Sequence, residues 1–219
     1  MLEVVVPPSR PRLFFWAIQA SFASEAILHG GAHLGLQWNT KFPGGQAANW
    51  GGYAPDGSLL GGSESHLPSA RNDPNTRDYP WVAGHRYRLR IARSGERIDG
   101  MVAWRGTVTH IESGIETRVR DLHTRGEHLI RPMVWTESFA RCEQPAVVAR
   151  WSDLRAVTAD GSDLPVSHVR VNYQSRADGG CDNTTVGLDE IGILQMTNAR
   201  RRVPQDAVLP VPGVDVSAS

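Results

Sequence analysis

The sequence predicts an all-β protein, a single-domain antiparallel β-sandwich with little helix. Apolar and polar residues alternate with period two in many short runs, and turn-forming dipeptides separate these runs. No long segment has the 3.6-residue period of an amphipathic helix. The length of 219 residues suits one large all-β domain. We expect an N-terminal extension at residues 1–12, the sandwich at 13–200 and a Pro-rich tail at 201–219.

The first strand is predicted from the run FFWAIQASFAS. Alternation places Gln19 and Ser21 on one face, and the other face carries Phe14, Trp16, Ile18, Ala20 and Phe22. The run HRYRLRIAR alternates apolar residues with arginines, which is typical of an antiparallel strand with one solvated face. Further strands are predicted at 97–105, 106–111, 115–121, 127–137, 146–152, 168–174 and 191–197.

Turn chemistry separates the predicted strands. The turn dipeptides are Ser94-Gly95, Ser113-Gly114, Arg125-Gly126 and Asp160-Gly161. The run from 87 to 137 therefore reads as a β-meander with short connections. Two longer loops are expected at 56–79 and 179–189, and loops of this length in a compact domain are usually functional or disordered.

Two segments carry a family resemblance. GAHLGLQ at 31–37 is followed by PWVAGHRYRLRI at 80–91, and in this order they resemble the concanavalin A-like jelly-roll superfamily. Within it, they are similar to a poorly characterised bacterial group that is usually exported. The resemblance covers residues 13–197 and implies a jelly-roll sandwich. The superfamily includes lectins, glycan-binding modules and glycoside hydrolases, and the group supplies no catalytic residues to carry over.

The segment from His29 to Tyr53 is the candidate binding surface. It combines many glycines with aromatic and amide side chains, a mixture that suits stacking on a ring and hydrogen bonding around it. We expect an open groove for a carbohydrate or another ring-bearing polar molecule. Its candidate ligand-binding residues are Gln37, Trp38, Asn39, Asn49, Trp50, Tyr53, Trp104 and Trp135. Trp16, Trp104 and Trp151 have apolar neighbours, which is typical of core residues.

The alternative is a cofactor-independent cytoplasmic enzyme, such as a cyclase or isomerase of specialised metabolism, with a closed apolar pocket. The candidate catalytic residues are Glu137, His168, Asn172 and Tyr173, because each interrupts a strand that is otherwise apolar on one face. No predicted strand carries the paired carboxylates of a glycoside hydrolase. The sequence alone leaves open whether the protein is an enzyme.

No metal site and no cofactor are predicted, because the histidines lack local ligand spacing and nucleotide-binding motifs are absent. Oxygen ligands between Asp178 and Glu190 leave calcium binding open. Cys142 and Cys181 either pair or remain free thiols. The 23 basic and 23 acidic residues balance, so nucleic acid is not an expected partner.

The expected partner is a small molecule or a glycan, and the oligomeric state is left open. No run of 18 apolar residues occurs, so no membrane partner is expected either. We expect a cytoplasmic location if Met1 is the native start, and an extracellular one if the chain belongs to a longer precursor.

Overall fold

The computed structural model describes residues 1–213 and confirms the all-β antiparallel fold class. In these residues the helical content is one 3-10 turn, η1 (Pro43–Gly45). The described part of the chain contains no helix long and apolar enough to cross a membrane. Contacts divide it into two compact units. The sandwich unit is Pro11–Phe139, and the terminal unit combines Met1–Arg10 with the described residues from Ala140 onward.

Sixteen strands occur in the described residues. In chain order they are β1 (Leu2–Val6), β2 (Phe14–Ser24), β3 (Ile27–Trp38), β4 (Gln46–Tyr53), β5 (Thr76–Asp78), β6 (Arg86–Ile98), β7 (Met101–His110), β8 (Ile115–Thr124), β9 (His128–Ser138), β10 (Val148–Trp151), β11 (Arg155–Val157), β12 (Asp163–Pro165), β13 (His168–Arg170), β14 (Thr185–Leu188), β15 (Ile193–Met196) and β16 (Val208–Pro210).

The sandwich unit contains a five-stranded antiparallel sheet in the order β5-β4-β3-β2-β9. Opposed residues on neighbouring strands share a face, so the register defines two faces. The inner face carries the fully buried side chains of Trp16, Leu34, Leu36 and Trp50. The alternation predicted for 14–22 is confirmed, since Gln19 lies on the opposite, outer face.

Strands β6, β7 and β8 form an antiparallel meander that packs on the inner face. The indole Nε1 of Trp50 donates to the carbonyl oxygen of Trp104 on β7 at 3.1 Å. Phe22 and Trp104 place their ring centroids 5.6 Å apart. A Cβ at Gly106 would lie 2.7 Å from the Trp50 indole, so this glycine permits the close approach of the two sheets. These contacts form the core of the sandwich.

In the terminal unit, four strands pair antiparallel in the order β14-β15-β10-β1. The pairs β11–β12 and β13–β16 form two small ribbons. Cys142 and Cys181 form a disulfide with Cα atoms 5.6 Å apart, which resolves the pairing that the sequence left open. Residues 1–12, expected as an extension, contribute β1, and the expected tail contributes β16. Residues 214–219 of that tail lie outside the described residues.

Four details of the sequence-based strand assignment are wrong. The strands predicted at 97–105 and 106–111 are not separate, because β7 runs from Met101 to His110. The chain does not turn at Ser94-Gly95, because β6 continues through that dipeptide with an irregular register. The hairpin turn is Asp99-Gly100, where both residues have positive φ and suit the type I′ turn that matches strand twist. The predicted meander ends at β8, since β9 pairs with β2 in the five-stranded sheet. The strand predicted at 168–174 ends at Arg170.

Candidate functional site

The outer face of the five-stranded sheet gathers most of the polar and aromatic candidates of the sandwich unit. Strand register places eight such side chains there by period-two alternation. They are Phe15 and Gln19 on β2, His33 and Gln37 on β3, Asn49 and Tyr53 on β4, and Trp135 and Glu137 on β9. Five of them, Gln37, Asn49, Tyr53, Trp135 and Glu137, are residues that the sequence singled out.

Three rings form a cluster at the centre of this face. Phe15 contacts His33 and Trp135 edge-on, with ring centroids 5.3 Å and 4.9 Å away, and His33 lies 5.8 Å from Trp135. Trp135 Nε1 donates to Gln19 Oε1 at 3.0 Å. Edge-to-face contacts of this kind fix ring orientation. The orientations of the three rings are therefore fixed by one another and by the hydrogen bond to Gln19.

A pocket of about 270 Å³ opens beside this cluster. Its wall is formed by β3 and β4 on one side and by the predicted long loop on the other. The lining residues are His33, Asn49, Gly51, Gly52, Tyr53, Leu59, Asp73, Pro74 and Asn75. Tyr53 is 52% exposed, so about half of its surface is accessible at the rim. Ligand sites usually measure about 300–1,000 Å³, so this pocket suits one small ring.

Asn49 contributes a buried carboxamide to the pocket. The residue is 7% exposed, and its Nδ2 donates to Thr76 Oγ1 at 2.9 Å. Its Oδ1 is buried, and no donor among the described residues reaches it. Buried side-chain oxygens are normally hydrogen-bonded, and leaving one unmade costs about 1–3 kcal/mol. This oxygen is an unpaired acceptor on a residue that lines the pocket.

The loop side of the pocket is held by its own hydrogen bonds. Asp73 Oδ1 accepts from the backbone N–H groups of Asn75 and Thr76 at 2.8 and 3.2 Å. Asn75 Oδ1 accepts from Arg120 Nη1 at 2.8 Å. The side chain of Asn75 also packs where a Cβ of Gly51 would be. The wall opposite Tyr53 is therefore preorganised.

Burial shifts the pKa values of two groups on the outer face, His33 and Glu137. Burial lowers the pKa of His33, so its imidazole stays neutral at neutral pH. Burial raises the pKa of Glu137, which lies opposite Phe15 at the far edge of the sheet. The other strand-borne carboxylate on this face, Asp78, lies on β5. Four strand spacings of about 4.8 Å put the two roughly 19 Å apart, well beyond the about 5–9.5 Å of a glycosidase pair.

Two of the predicted ligand-binding tryptophans are core residues, and for them the prediction is wrong. Trp50 is 0% exposed and Trp104 is 5% exposed, and both indole N–H groups donate to backbone carbonyl oxygens. Their rings fill the space between the two sheets. For Trp104 this agrees with its apolar neighbours in the sequence, which are typical of a core residue. Trp50 therefore does not supply an exposed ring to the groove that the sequence predicts.

The remaining candidates of the same segment occupy different places. Trp38 is half-buried at an inner-face position, with its ring centroid 6.5 Å from that of Trp81. Asn39 lies in the turn after β3, where its Nδ2 donates to Gln37 Oε1 at 3.1 Å and its Oδ1 accepts from the Lys41 N–H. These two residues support the turn and do not line the pocket.

The four predicted catalytic residues do not form one cluster within either unit. Glu137 lies in the sandwich unit, and the other three lie in the terminal unit. His168 is exposed, and Asn172 Oδ1 accepts from Gln205 Nε2 at 2.7 Å. Tyr173 donates to Val203 O, accepts from the Val186 N–H, and lies 4.0 Å from the Arg201 guanidinium. In the terminal unit these contacts are structural.

In the segment considered for calcium, three of the four carboxylates are engaged by protein donors. Asp178 accepts from Ser175 Oγ, and Asp182 pairs with Arg176 at 3.0 Å. Asp189 pairs with Arg150 at 2.7 Å and accepts from two backbone N–H groups. In the described residues, the one group with metal-ligand geometry is His85, His110 and Glu112, in the sandwich unit. Local spacing could not reveal this group, because its members come from separate elements.

Sequence reasoning missed four residues of the site. Phe15 and His33 were not assigned to it, although they alternate with the core residues Trp16 and Leu34 and so had to face outward. Asp73 and Asn75 come from a loop whose path no sequence periodicity describes. The signal that could have found Phe15 and His33 is their position between core residues on neighbouring strands, which places both on the outer face.

No protein-family model matches the chain, and no curated protein matches it either.

Proposed function

We propose that the sandwich unit binds a small polar molecule containing a ring, with a sugar residue as the best fit, in the pocket beside Tyr53. The observation that carries the proposal is the pairing of two groups in one pocket. Tyr53 offers an aromatic side chain that is about half exposed, and Asn49 offers a buried oxygen that lacks a donor. A sugar ring presents an apolar C–H face together with hydroxyl donors, and it complements both groups.

The remaining lining residues support the same ligand class. His33, neutral at neutral pH, supplies one acceptor or donor nitrogen, and no cationic side chain lines the pocket. A strongly anionic ligand therefore has no counter-charge there. The jelly-roll resemblance of residues 13–197 is compatible with glycan recognition and adds to the proposal as an analogy.

The proposal is for binding and does not include turnover. The enzyme alternative retains Glu137, whose raised pKa suits a general acid, but no second carboxylate of the sheet lies near it. Recognition of one ring needs none of the four predicted catalytic residues.

Binding to a panel of immobilised mono- and oligosaccharides, followed by calorimetry with the best ligand, tests the proposal. We expect Tyr53→Ala to weaken binding roughly fivefold, because an aromatic contact contributes about 1 kcal/mol. Asn49→Leu removes the acceptor and should weaken binding at least as much. Phe139→Ala, which removes an exposed ring that does not line the pocket, is the matched control and should bind as the wild type does.

Failure of the whole panel to bind, or equal affinity in the Tyr53 variant and the wild type, would overturn the proposal. Asn49 is buried, so the folding of its variant is checked by near-UV circular dichroism before binding is measured. The Tyr53 variant changes an exposed side chain and keeps the test decisive even if Asn49→Leu does not fold.

A further inference from the structure

Three potential metal ligands meet at one end of the meander β6–β7–β8, separate from the pocket. His85 immediately precedes β6, His110 is the last residue of β7, and Glu112 lies in the turn before β8. We propose that these three side chains form a binding site for a divalent transition-metal ion, with Zn²⁺ as the best fit. The proposal does not depend on the pocket or its ligand.

The geometry brings lone pairs of the three residues to one point. His85 Nδ1 lies 2.8 Å from His110 Nε2, and Glu112 Oε2 lies 3.3 Å from the same nitrogen. The candidate ligand atoms of all three residues lie within 4.8 Å of one another. In a tetrahedral zinc site with bonds of about 2.0–2.2 Å, ligand atoms are about 3.4 Å apart. The His110–Glu112 separation is within about 0.1 Å of this value, and the His85–His110 separation needs to grow by about 0.6 Å. The His85–Glu112 separation, at most 4.8 Å, needs to shrink by up to about 1.4 Å.

The two imidazoles direct one ring nitrogen each at the other. Their rings are nearly coplanar, at 10°, so each nitrogen directs its ring-plane orbital at the other. One neutral ring donating its N–H to the lone pair of the other accounts for the 2.8 Å contact, and a metal ion can take the place of this hydrogen bond. On metal binding the donating ring loses the proton at that nitrogen and carries one on its other ring nitrogen, so both nitrogens of the contact present lone pairs to the metal.

Neighbouring groups orient the proposed ligands. His110 Nδ1 lies 2.8 Å from Ser113 Oγ, and donation of its N–H to this hydroxyl leaves Nε2 unprotonated for the metal. Glu112 Oε1 accepts from the Arg86 backbone N–H at 3.1 Å, and the Arg86 guanidinium lies 3.4 Å from the same oxygen. The second carboxylate oxygen therefore faces His110. Metal-binding histidines usually have such a hydrogen bond on their other nitrogen.

The turn that carries His85 is anchored without being tightly packed. Tyr87 OH accepts from the Val82 N–H at 2.8 Å, and the His85 N–H donates to Val82 O at 3.2 Å. Gly84 has φ of +79° and open space where a side chain would be. The turn therefore has free space beside His85 at Gly84, on the chain segment that must shift when a metal binds.

The donor set selects the class of metal and leaves one position free. Imidazole nitrogen suits zinc, copper, iron and nickel, whereas calcium and magnesium prefer all-oxygen sites. Two histidines and one carboxylate supply three ligands of a tetrahedral ion. The fourth position is open to water or to another small ligand, because His85, His110 and Glu112 all remain partly accessible to solvent.

The test is titration of the chelator-treated full-length protein with ZnCl₂ by calorimetry and with CoCl₂ by visible absorption. We expect one equivalent of Zn²⁺ to bind, and Co²⁺ to give the intense visible bands of a four-coordinate site. His85→Ala and His110→Ala should each weaken binding at least tenfold. Ser113→Ala should weaken it roughly tenfold through the ligand orientation that it removes.

His66→Ala is the matched control, because His66 is exposed on a loop of the same unit. It should leave the zinc titration unchanged. Absence of binding to the wild type would overturn the proposal. So would unchanged affinity in His85→Ala, whose residue lies outside the strands, or an equal loss of affinity in the His66 control.

Discussion

The half-buried His33 ring joins the core-like aromatic cluster to the polar pocket. Its imidazole contacts Phe15 and Trp135 on one side and lines the pocket beside Asn49 and Tyr53 on the other. Burial lowers its pKa below the ordinary value of 6.5, because the charged ring loses more hydration than the fold returns. A single side chain thereby links the stability of the outer face to pH.

This link predicts a pH-dependent stability. The unfolded chain binds a proton at His33 more readily than the folded chain, so the contribution of neutral His33 is fully present above pH 6.5 and is lost as the pH falls toward the lowered folded-state pKa. We expect His33→Gln to reduce the slope of unfolding free energy against pH below 6.5. Urea unfolding followed by tryptophan fluorescence at several pH values measures it.

The pH dependence of stability must be compared between variant and wild type, because Glu137 also contributes to it. Its pKa is raised by burial, so its folded form retains a proton more readily, and its contribution to stability decreases as the pH rises above 4.5. The two contributions have opposite slopes. Subtracting the Glu137→Gln profile separates them, and equal pH profiles for His33→Gln and the wild type would contradict the assignment.

Among the elements, the hairpin β2–β3 explains part of the high glycine content of residues 29–53. A Cβ at Gly35 would lie 1.9 Å from the carbonyl oxygen of Trp16 and 2.8 Å from the ring of Phe15. The Phe15 side chain occupies the space above this glycine. Gly35 is therefore needed for the two strands to approach and for the aromatic cluster to lie flat on the sheet.

Replacing Gly35 by Ala should destabilise the protein by about 1–3 kcal/mol, the usual cost of overpacking, or more if backbone must move. The midpoint of urea unfolding measures the loss. Gly61→Ala is the matched control, since its Cβ would have no atom within 4 Å, and its midpoint should stay within about 0.5 kcal/mol of the wild type. A Gly35 variant as stable as the control would show that the strands can separate at no cost.

The same elements show what the sequence could predict. Alternation along β2 correctly separated inner from outer residues, because a period of two is a local property of each strand. The partner of β9 could not be read in this way. Its run follows β8 along the chain, but its pairing with β2 depends on packing between residues more than a hundred positions apart. The burial of Trp50, set by Trp104 on another sheet, has the same origin.

The position of the β6–β7 turn and the path of the long loop could not be predicted from the sequence either. Asp99-Gly100 and Ser94-Gly95 are both acceptable turn dipeptides, and the choice depends on which one aligns the arginine-rich strand with Met101–His110. The pocket depended on Asp73, Pro74 and Asn75, whose position is fixed by contacts with Gly51 and Arg120. The metal-ligand group at His85 likewise formed only when strand ends met.

At the scale of the whole molecule, the two units hold their structure by different means. The sandwich unit has buried tryptophans between its two sheets. The terminal unit has short strands and two ribbons, with Cys142 and Cys181 joined across a sequence separation of 39. The backbone oxygens of both cysteines also accept hydrogen bonds, from Asn183 Nδ2 and Arg201 Nη2.

The disulfide bears on the cellular location. Disulfides persist in oxidising compartments. Of the two locations that the sequence leaves open, cytoplasmic and extracellular, we therefore propose the extracellular one.

The disulfide should account for a large share of the stability of the terminal unit. Closing a loop of this length in the unfolded chain is worth about 4 kcal/mol in the chain-entropy account. We expect the double variant Cys142→Ser, Cys181→Ser to lower the free energy of unfolding by up to that amount, measured by urea unfolding. Dithiothreitol should shift the wild type by the same amount and leave the double variant unchanged. A reductant-insensitive wild type, with the bond shown to be reduced by mass spectrometry, would mean that the hydrogen bonds of Asn183 and Arg201 alone hold these segments together.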